Sequence, residues 1–411
     1  MSQTRQQPPT LRLRKNYLPD DIVLDILSRL LVKSILRFRC VSKSLCSHID
    51  SSKFISTHLN KLLCSIHNDH HEGYVIHMPN LINTQLCTVS CDRSFDRISE
   101  LRIPFTFQCG IACFLGSCNG ILCLTAVNDI YLWNPSIRIF KRLSSTCLSQ
   151  SNSFRLGFAY DSPNNDYKVV RITRPRTQPV PPPEVEVYTL STDSWRRVEF
   201  GISWRPNILF YTVNCAFLYP FVSGHLHFML HIVVDMIDGG GRQASAMILS
   251  FNVNSEKFGE LPFPDDDDDD GSFKGVHYAS SRCLTSCKGK LALTKFEHSL
   301  QSNGMVCSVW VMRDYGVRES WNKLFRVPLE SSGRFIGFTT YGSLLFRKIP
   351  ELVFNNRKLE LANKFFLFDP KTLHQTDLSN QLIYPLNVIP LFVATYMESL
   401  ALLDVADVVS Y

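Results

Sequence analysis

A chain of 411 residues, 45% hydrophobic and 19% charged with a net charge of +6, holds ample apolar material for a folded core. Its basic residues are too dispersed to argue for nucleic-acid binding, and it opens with no apolar h-region of a secretory signal. Two stretches lack Asp, Glu, Lys and Arg, 103–128 and 206–234, but Gly, Asn, Pro and His interrupt them, so buried strands in a soluble protein are expected rather than membrane spans.

Residues 1–15 are rich in Gln, Pro and Thr and carry Arg5, Arg12, Arg14 and Lys15. They read as a disordered, solvated tail, with a weak nuclear address as the alternative, and cytoplasmic and/or nuclear residence is expected. Helical periodicity begins at Leu18. Pro19 suits a first helical position, where its missing N–H would be unpaired anyway. Asp20 and Asp21 then meet the positive end of the helix dipole. Ile22, Val23, Ile26, Leu27 and Leu30 form one apolar stripe. A second helix is expected from Ser34 to about Lys43, with Ile35, Leu36, Phe38 and Val41 among Lys33, Arg37, Arg39 and Lys43. A third segment around Leu45, Ile49, Phe54 and Leu59 closes a unit of three helices. So small a unit is marginal alone. It is either a cap on the body that follows or a docking module whose exposed apolar residues belong to a partner.

The order of residues resembles the F-box, the module that docks substrate receptors onto the Skp adaptor of SCF ubiquitin ligases. The likeness runs from Leu18-Pro19 through Ile22-Val23, Ile26-Leu27, Arg29-Leu30, Val32-Lys33-Ser34-Ile35, Arg37-Phe38-Arg39 and Cys40-Val41-Ser42-Lys43-Ser44 to Phe54-Ile55 and His58-Leu59. It implies an F-box over residues 16–62, with adaptor docking carried by Leu18, Pro19, Ile22, Ile26, Leu27, Leu30, Val32, Ile35, Leu36 and Val41. Some of these must instead hold the helices together, and the sequence does not sort them. Leu31 stands where plant members usually have proline and Leu45 where they usually have tryptophan, which implies weaker docking.

Residues 63–73, with His67, His70 and His71, read as a polar linker, and 74–411 as an all-β body. There a template recurs: an aromatic, a polar turn, a second aromatic seven residues on and an aliphatic ten residues on. Trp133, Phe140 and Leu143 fit it, as do Tyr188, Trp195 and Val198, and Phe251, Phe258 and Leu261. Phe368, Gln375 and Leu378 keep the spacing with a polar second member. Trp310, Trp321 and Leu324 fit with four residues inserted, Asp314 to Val317 being the expected loop. Each is a hairpin that sets its two landmarks side by side across the strand pair. Ahead of the hairpins lie strands with Gly turns, as at Asn119-Gly120, Gly224, Gly289 and Gly342. Such repeats describe propeller blades, at 105–143, 154–198, 217–261, 280–324 and 335–378. The pieces at 74–103 and 386–405 would share a sixth, so six blades are expected, with seven as the alternative and an open sandwich disfavoured. The body, with Leu156-Gly157-Phe158 to Asp161, Asp166-Tyr167-Lys168-Val169-Val170-Arg171, Val185 to Tyr188, Ser194-Trp195 and Tyr315 to Trp321, looks like the F-box-associated domain of plant F-box/kelch-repeat proteins, a group that includes the pollen S-locus receptors.

Other clusters were weighed for chemistry. Fourteen scattered cysteines read as reduced, packed thiols. The pairs Cys283/Cys287, Cys87/Cys91 and Cys109/Cys113 lack zinc-knuckle spacing, so no metal or other cofactor is expected. His225, His227 and His231 share one face of a strand but span too far for one ion, and core or surface roles are expected. The acidic run Asp265 to Asp270 reads as a solvated loop, not a calcium site. Pro175 to Pro183 reads as an extended spacer. No nucleophile elbow, phosphate loop or dinucleotide fingerprint is present. The resemblance implies a non-catalytic receptor that joins the Skp adaptor, and through it a cullin, to a client protein held on propeller loops. A ligand- or glycan-binding propeller capped by helices is the alternative, and a decoy that docks without ligase action a third.

Overall fold

The computed structural model describes residues 18–66, 73–78, 86–107, 113–126, 129–146, 153–174, 182–203, 219–235, 242–264, 282–298, 305–329, 333–348, 364–382, 392–405 and 407–411. Four helices come first: α1 (Asp20–Leu27), α2 (Val32–Arg39), α3 (Lys43–Ile49) and α4 (Ser52–Ile66). The expectation of three is corrected at Asp50-Ser51. There Ser51 Oγ donates to His48 O (2.6 Å) and accepts from Phe54 N (3.3 Å), finishing one helix and capping the next. The second helix is corrected too. It starts at Val32 rather than Ser34 and stops at Arg39, because Ser42 takes the cap of α3 and accepts from Leu45 N at 3.2 Å. Pro19 is the N-cap residue of α1, one position before the first turn. Helix α4 continues to Ile66, through residue 62 where the sequence reading ended the module.

Six antiparallel sheets follow as the blades of a ring. Blade 1 sets Phe392–Tyr396 beside Tyr74–Met78, Leu86–Cys91 and Arg97–Arg102, so the chain's last long strand closes the ring against its first. Blade 2 is Cys113–Cys118, Ile121–Ala126, Asp129–Asn134 and Ile139–Arg142, with Val409–Ser410 added as a fifth strand at its outer edge. Blades 3 to 6 span 153–198, 221–261, 282–329 and 333–377. Closure leaves no blade without neighbours, which removes the exposed ends of an open array.

The hairpin template sets the register. Trp133 faces Phe140, Tyr188 faces Trp195, Phe251 faces Phe258 and Phe368 faces Gln375. Blade 5 departs from it. A bulge at Val309/Trp310 and a 3-10 turn at Arg318–Ser320 put Lys323 opposite Trp310, and Trp321 opposite Met312. The ammonium of Lys323 lies 4.8 Å over the Trp310 ring, a cation–π contact in place of the aromatic pair.

Apolar clusters fill the spaces between successive blades. Trp133 and Leu122 pack on Ile76 of blade 1 and on Phe105 of the connection from blade 1 to blade 2; Phe228 and Phe251 on Val170 and Val187 of blade 3; Phe346 and Phe366 on Cys307 and Val309 of blade 5. Polar bonds tie two of the other seams, between blades 2 and 3 and between blades 6 and 1. Lys141 Nζ reaches Asp193 at 3.0 Å, and the Asp92 carboxylate accepts from Thr340 N at 2.6 Å and from its hydroxyl. The ring has two unlike ends. At one, the first and second strands of blades 2, 4 and 5 meet in two-residue turns, Asn119-Gly120, Ser223-Gly224 and Lys288-Gly289, all with positive φ. That is the turn whose twist suits a hairpin. The helices sit at this end. Leu27, Val32, Ile35, Ile49, Phe54 and Ile55 join one core with Leu400–Leu402 and with Ile121, Ile137, Tyr167 and Leu190 of blades 2 and 3.

Candidate docking surface

Each helix is fixed by a local feature of sequence. The Pro19 carbonyl accepts from Ile22 N and Val23 N, both at 3.1 Å, while φ −54° and ψ 143° turn the chain into α1. Leu31 does the same for α2 with φ −62° and ψ 147°. The short helices are then bound to one another. Arg39 clasps Asp50 with two charge-assisted bonds of 2.5 and 2.8 Å, tying the end of α2 to the end of α3. Lys61 of α4 reaches Asp25 Oδ1 at 2.5 Å and Ser28 Oγ at 2.6 Å. Hydrogen bonds from Lys61 and Arg29 hold the Asp25 carboxyl below its ordinary range. His58, buried, bonds the Leu30 carbonyl at 3.1 Å, and burial lowers its pKa.

The structure sorts the ten residues named from the sequence. Leu27, Val32 and Ile35 are buried at 3%, 2% and 0% exposure and belong to the core shared with the ring. Leu30 and Leu36 are half-buried and pack on that core. Leu18, Pro19, Ile22, Ile26 and Val41 are exposed, with Leu18 at 58%, Ile22 at 45%, Ile26 at 49% and Val41 at 69%. Ile22 and Ile26 are spaced four apart, so they lie on one side of α1, and Leu18 stands just ahead of the Pro19 cap. Leu31 (73%) and Phe38 (42%) are exposed too and were absent from the sequence-derived set. Their signal was present in part, since Phe38 lies in the resemblance and Leu31 occupies the proline position. Leu45, at the tryptophan position, is half-buried and packs on the shared core.

The remaining candidates resolve into structural roles or fall outside the described residues. His227 is buried, with Nδ1 3.0 Å from Pro220 O and Nε2 2.8 Å from the Tyr315 hydroxyl. Burial pulls its pKa down to about 4, so it is a neutral seam residue between blades 4 and 5. His225 bonds Ser223 O at 2.7 Å and Asn252 Nδ2 at 3.1 Å. Cys283 and Cys287 are buried in different clusters, and burial raises the thiols of Cys87, Cys123 and Cys307 far above their ordinary value. His67, His70 and His71, the run Asp265 to Asp270, Cys109 and residues 175–181 lie outside the described residues, as does the side chain of His231. Pro182 and Pro183 line a cavity of about 530 Å³ with Glu184, Arg197, Phe200 and Ile202 at the rim of blade 3.

Lys168 acquires a role that the sequence did not assign. Its ammonium donates to Asp161 (2.7 Å), to Glu256 (2.9 Å) and to the Val253 carbonyl (2.8 Å), stapling blade 3 to the turn of blade 4. Burial alone would lower its pKa, but the bonds to Asp161 and Glu256 outweigh it and leave the pKa raised.

Two family models match the chain in keeping with this architecture. Residues 16–57 match the F-box domain model, and residues 65–383 match the model described as an F-box associated beta propeller domain. The chain is similar to F-box protein CPR1 of Arabidopsis thaliana, 29% identical over 363 residues that cover 83% of this chain and 81% of that protein. It is also similar to F-box protein At4g22390 of the same plant, 29% identical over 340 residues covering 78% and 76%. Among solved structures, Kuenenia stuttgartiensis hydrazine synthase aligns with 80% of the chain and 47% of its own at 10% identity, with a TM-score of 0.39.

Proposed function

The chain belongs to the family of F-box proteins that carry an F-box associated β-propeller domain, and we propose that it is the substrate-recognition subunit of a Skp–cullin–F-box ubiquitin ligase. The observation that carries the reading is the exposure of Leu18, Ile22 and Ile26 at and along α1, together with Leu31, Phe38 and Val41, on a helical module whose Leu27, Val32, Ile35, Ile49, Phe54 and Ile55 are buried in the core shared with the ring. In this reading the six exposed residues, with Pro19, contact the Skp-type adaptor. Leu27, Val32 and Ile35 act only by holding the module together, and Leu30 and Leu36 divide between the two roles. The adaptor joins the chain to a cullin.

The ring holds the client at the end away from the helices. Short turns and the helical module occupy the near end, whereas the connections leaving the far end differ widely in length, and variable loops on a rigid scaffold are where recognition resides. The receptor itself makes and breaks no covalent bond. It raises the effective concentration of client lysines near the charged ubiquitin carrier, which turns a bimolecular encounter into an intramolecular one.

Co-expression with a Skp-type adaptor followed by gel filtration tests the reading. A stable one-to-one complex is expected. A folded chain that elutes apart from the adaptor at micromolar concentration would overturn it.

A further inference from the structure

The template residue that ends the third strand of a blade has a local duty. Asn134 Oδ1 accepts from Ser136 N (3.0 Å), Asn252 Oδ1 from Asn254 N (3.0 Å) and Asp369 Oδ1 from Lys371 N (2.8 Å), each bracing its own turn. Asp369 shows that an aspartate oxygen can serve this duty. In blade 2 the amide nitrogen has a second duty. Asn134, fully buried, donates to Ser399 O (3.0 Å), Ser399 Oγ (3.2 Å) and Ala401 O (2.8 Å).

These acceptors lie on a segment of unusual position. After closing blade 1 with Phe392–Tyr396, the chain runs between the ring and the helices. Ser399, Leu400, Ala401 and Leu402 are 1–5% exposed within the core that contains Ile35, Ile49 and Phe54. Glu398 lies 3.8 Å from Lys33 of α2. Gly120, with φ +81°, lies directly beneath: a Cβ there would stand 2.6 Å from Met397 O. Beyond the segment, Val409–Ser410 pairs with the rim of blade 2, and the Tyr411 hydroxyl accepts from Trp133 Nε1 at 2.9 Å. The helical module therefore meets the ring through residues that lie more than 300 positions later in the chain, in addition to its covalent connection through 67–72.

We propose that Met397–Val405, anchored by Asn134 as a positioning residue, fixes the angle of the helical module on the ring, and so holds the adaptor-docking surface and the client-bearing end at one separation. The functional sense of that separation rests on the receptor reading above; the mechanical claim does not. A lysine on a held client meets the ubiquitin carrier only if the two ends keep their geometry, and a flexible tether would dilute the effective concentration that the receptor supplies.

The sharpest test is Asn134→Asp in the full chain, since an aspartate oxygen can brace the turn, as at Asp369, while the three donations to the segment are lost. Spin-labelled unnatural residues at Asn60 on α4 and Leu324 on blade 5 report the separation by pulsed electron resonance. The parent is expected to show one narrow distance distribution. Asn134→Asp should broaden it at least twofold and speed amide exchange of residues 399–403 at least tenfold, with inner-strand exchange in blades 3 to 6 unchanged. Should Asn134→Asp unfold, Leu402→Asp gives the same reading from the helical side. As a control, replacing 67–72 by six Gly and Ser residues should leave the distribution narrow. A narrow distribution in both folded segment variants, or a broad one in the linker variant alone, would overturn the proposal. Adaptor affinity, measured on the same samples, is expected to stay within about threefold. If the parent itself does not bind, the receptor reading fails while the positioning claim is still decided by the distances.

Discussion

Replacing Lys168 with methionine keeps the packing of the side-chain stem and removes only the ammonium. The side chains of Lys168, Asp161 and Glu256 are 7%, 0% and 7% exposed, so water cannot enter to solvate the carboxylates left behind. Stranding a buried charge in this way costs about 3–5 kcal/mol. Two features place this site at the lower end. Asp161 keeps bonds from Asn164 (2.9 Å) and Asn254 (3.2 Å), and Glu256 keeps its bond to Arg196. A loss of about 3 kcal/mol is therefore expected, read as the shift of the urea midpoint at constant slope by tryptophan fluorescence and by circular dichroism. The companion variant Lys168→Met/Asp161→Asn/Glu256→Gln removes the stranded charges and should recover at least half of that loss. A single variant less than about 1 kcal/mol below the parent, or a triple variant worse than the single, would refute the view that the cluster is a dry ionic staple between blades.

Burial holds His77 and His227 neutral with pKa values of about 4. An unfolded histidine titrates near 6.5, so the unfolded chain binds more protons between these values; stability should be full above about pH 6.5 and fall toward pH 4 by up to about 3 kcal/mol per histidine, as urea midpoints across that range would show. The φ of −62° at Leu31 is that of a proline ring, so Leu31→Pro should raise stability by about 0.4–1 kcal/mol; a lowered melting temperature would contradict this. Ile35→Ala empties a fully buried site and should cost about 2–5 kcal/mol, whereas Ile22→Ala on the exposed stripe should stay within about 0.5 kcal/mol; calorimetry of the two variants separates core from surface.

The ring was legible because its signals are local and repeated. A spacing of seven between aromatic and partner fixes the cross-strand register, and four of five hairpins obey it. The fifth misled because the four-residue loop allowance, applied to two tryptophans, paired the wrong residues; the bulge at Val309/Trp310 moves the register by an amount that periodicity does not encode. The closing helix was read as one element because its apolar residues continue across Asp50-Ser51, while the break is made by a single serine that serves two helices at once. Within the ten candidate residues, helical periodicity alone could not separate Leu27 from Ile26. Which side of α1 is covered depends on Leu400–Leu402, which arrive from the far end of the chain. The role of Lys168 was hidden for a similar reason, since Val253 and Glu256 belong to the next blade.

The central claim is that the open stripe of α1 is an adaptor contact. Ile22 and Ile26 are each about half exposed, and covering that remainder is worth about 1 kcal/mol apiece, together about thirtyfold in affinity. Aspartates there must also be desolvated on docking, so Ile22→Asp/Ile26→Asp should weaken binding at least about a hundredfold. The measurement is calorimetric titration of a purified Skp-type adaptor into the parent chain and into this variant, with melting curves recorded on both. Tight one-to-one binding by the parent and loss of at least a hundredfold by an equally stable variant is the predicted result. Equal binding by the two, or none by a folded parent, would contradict the account.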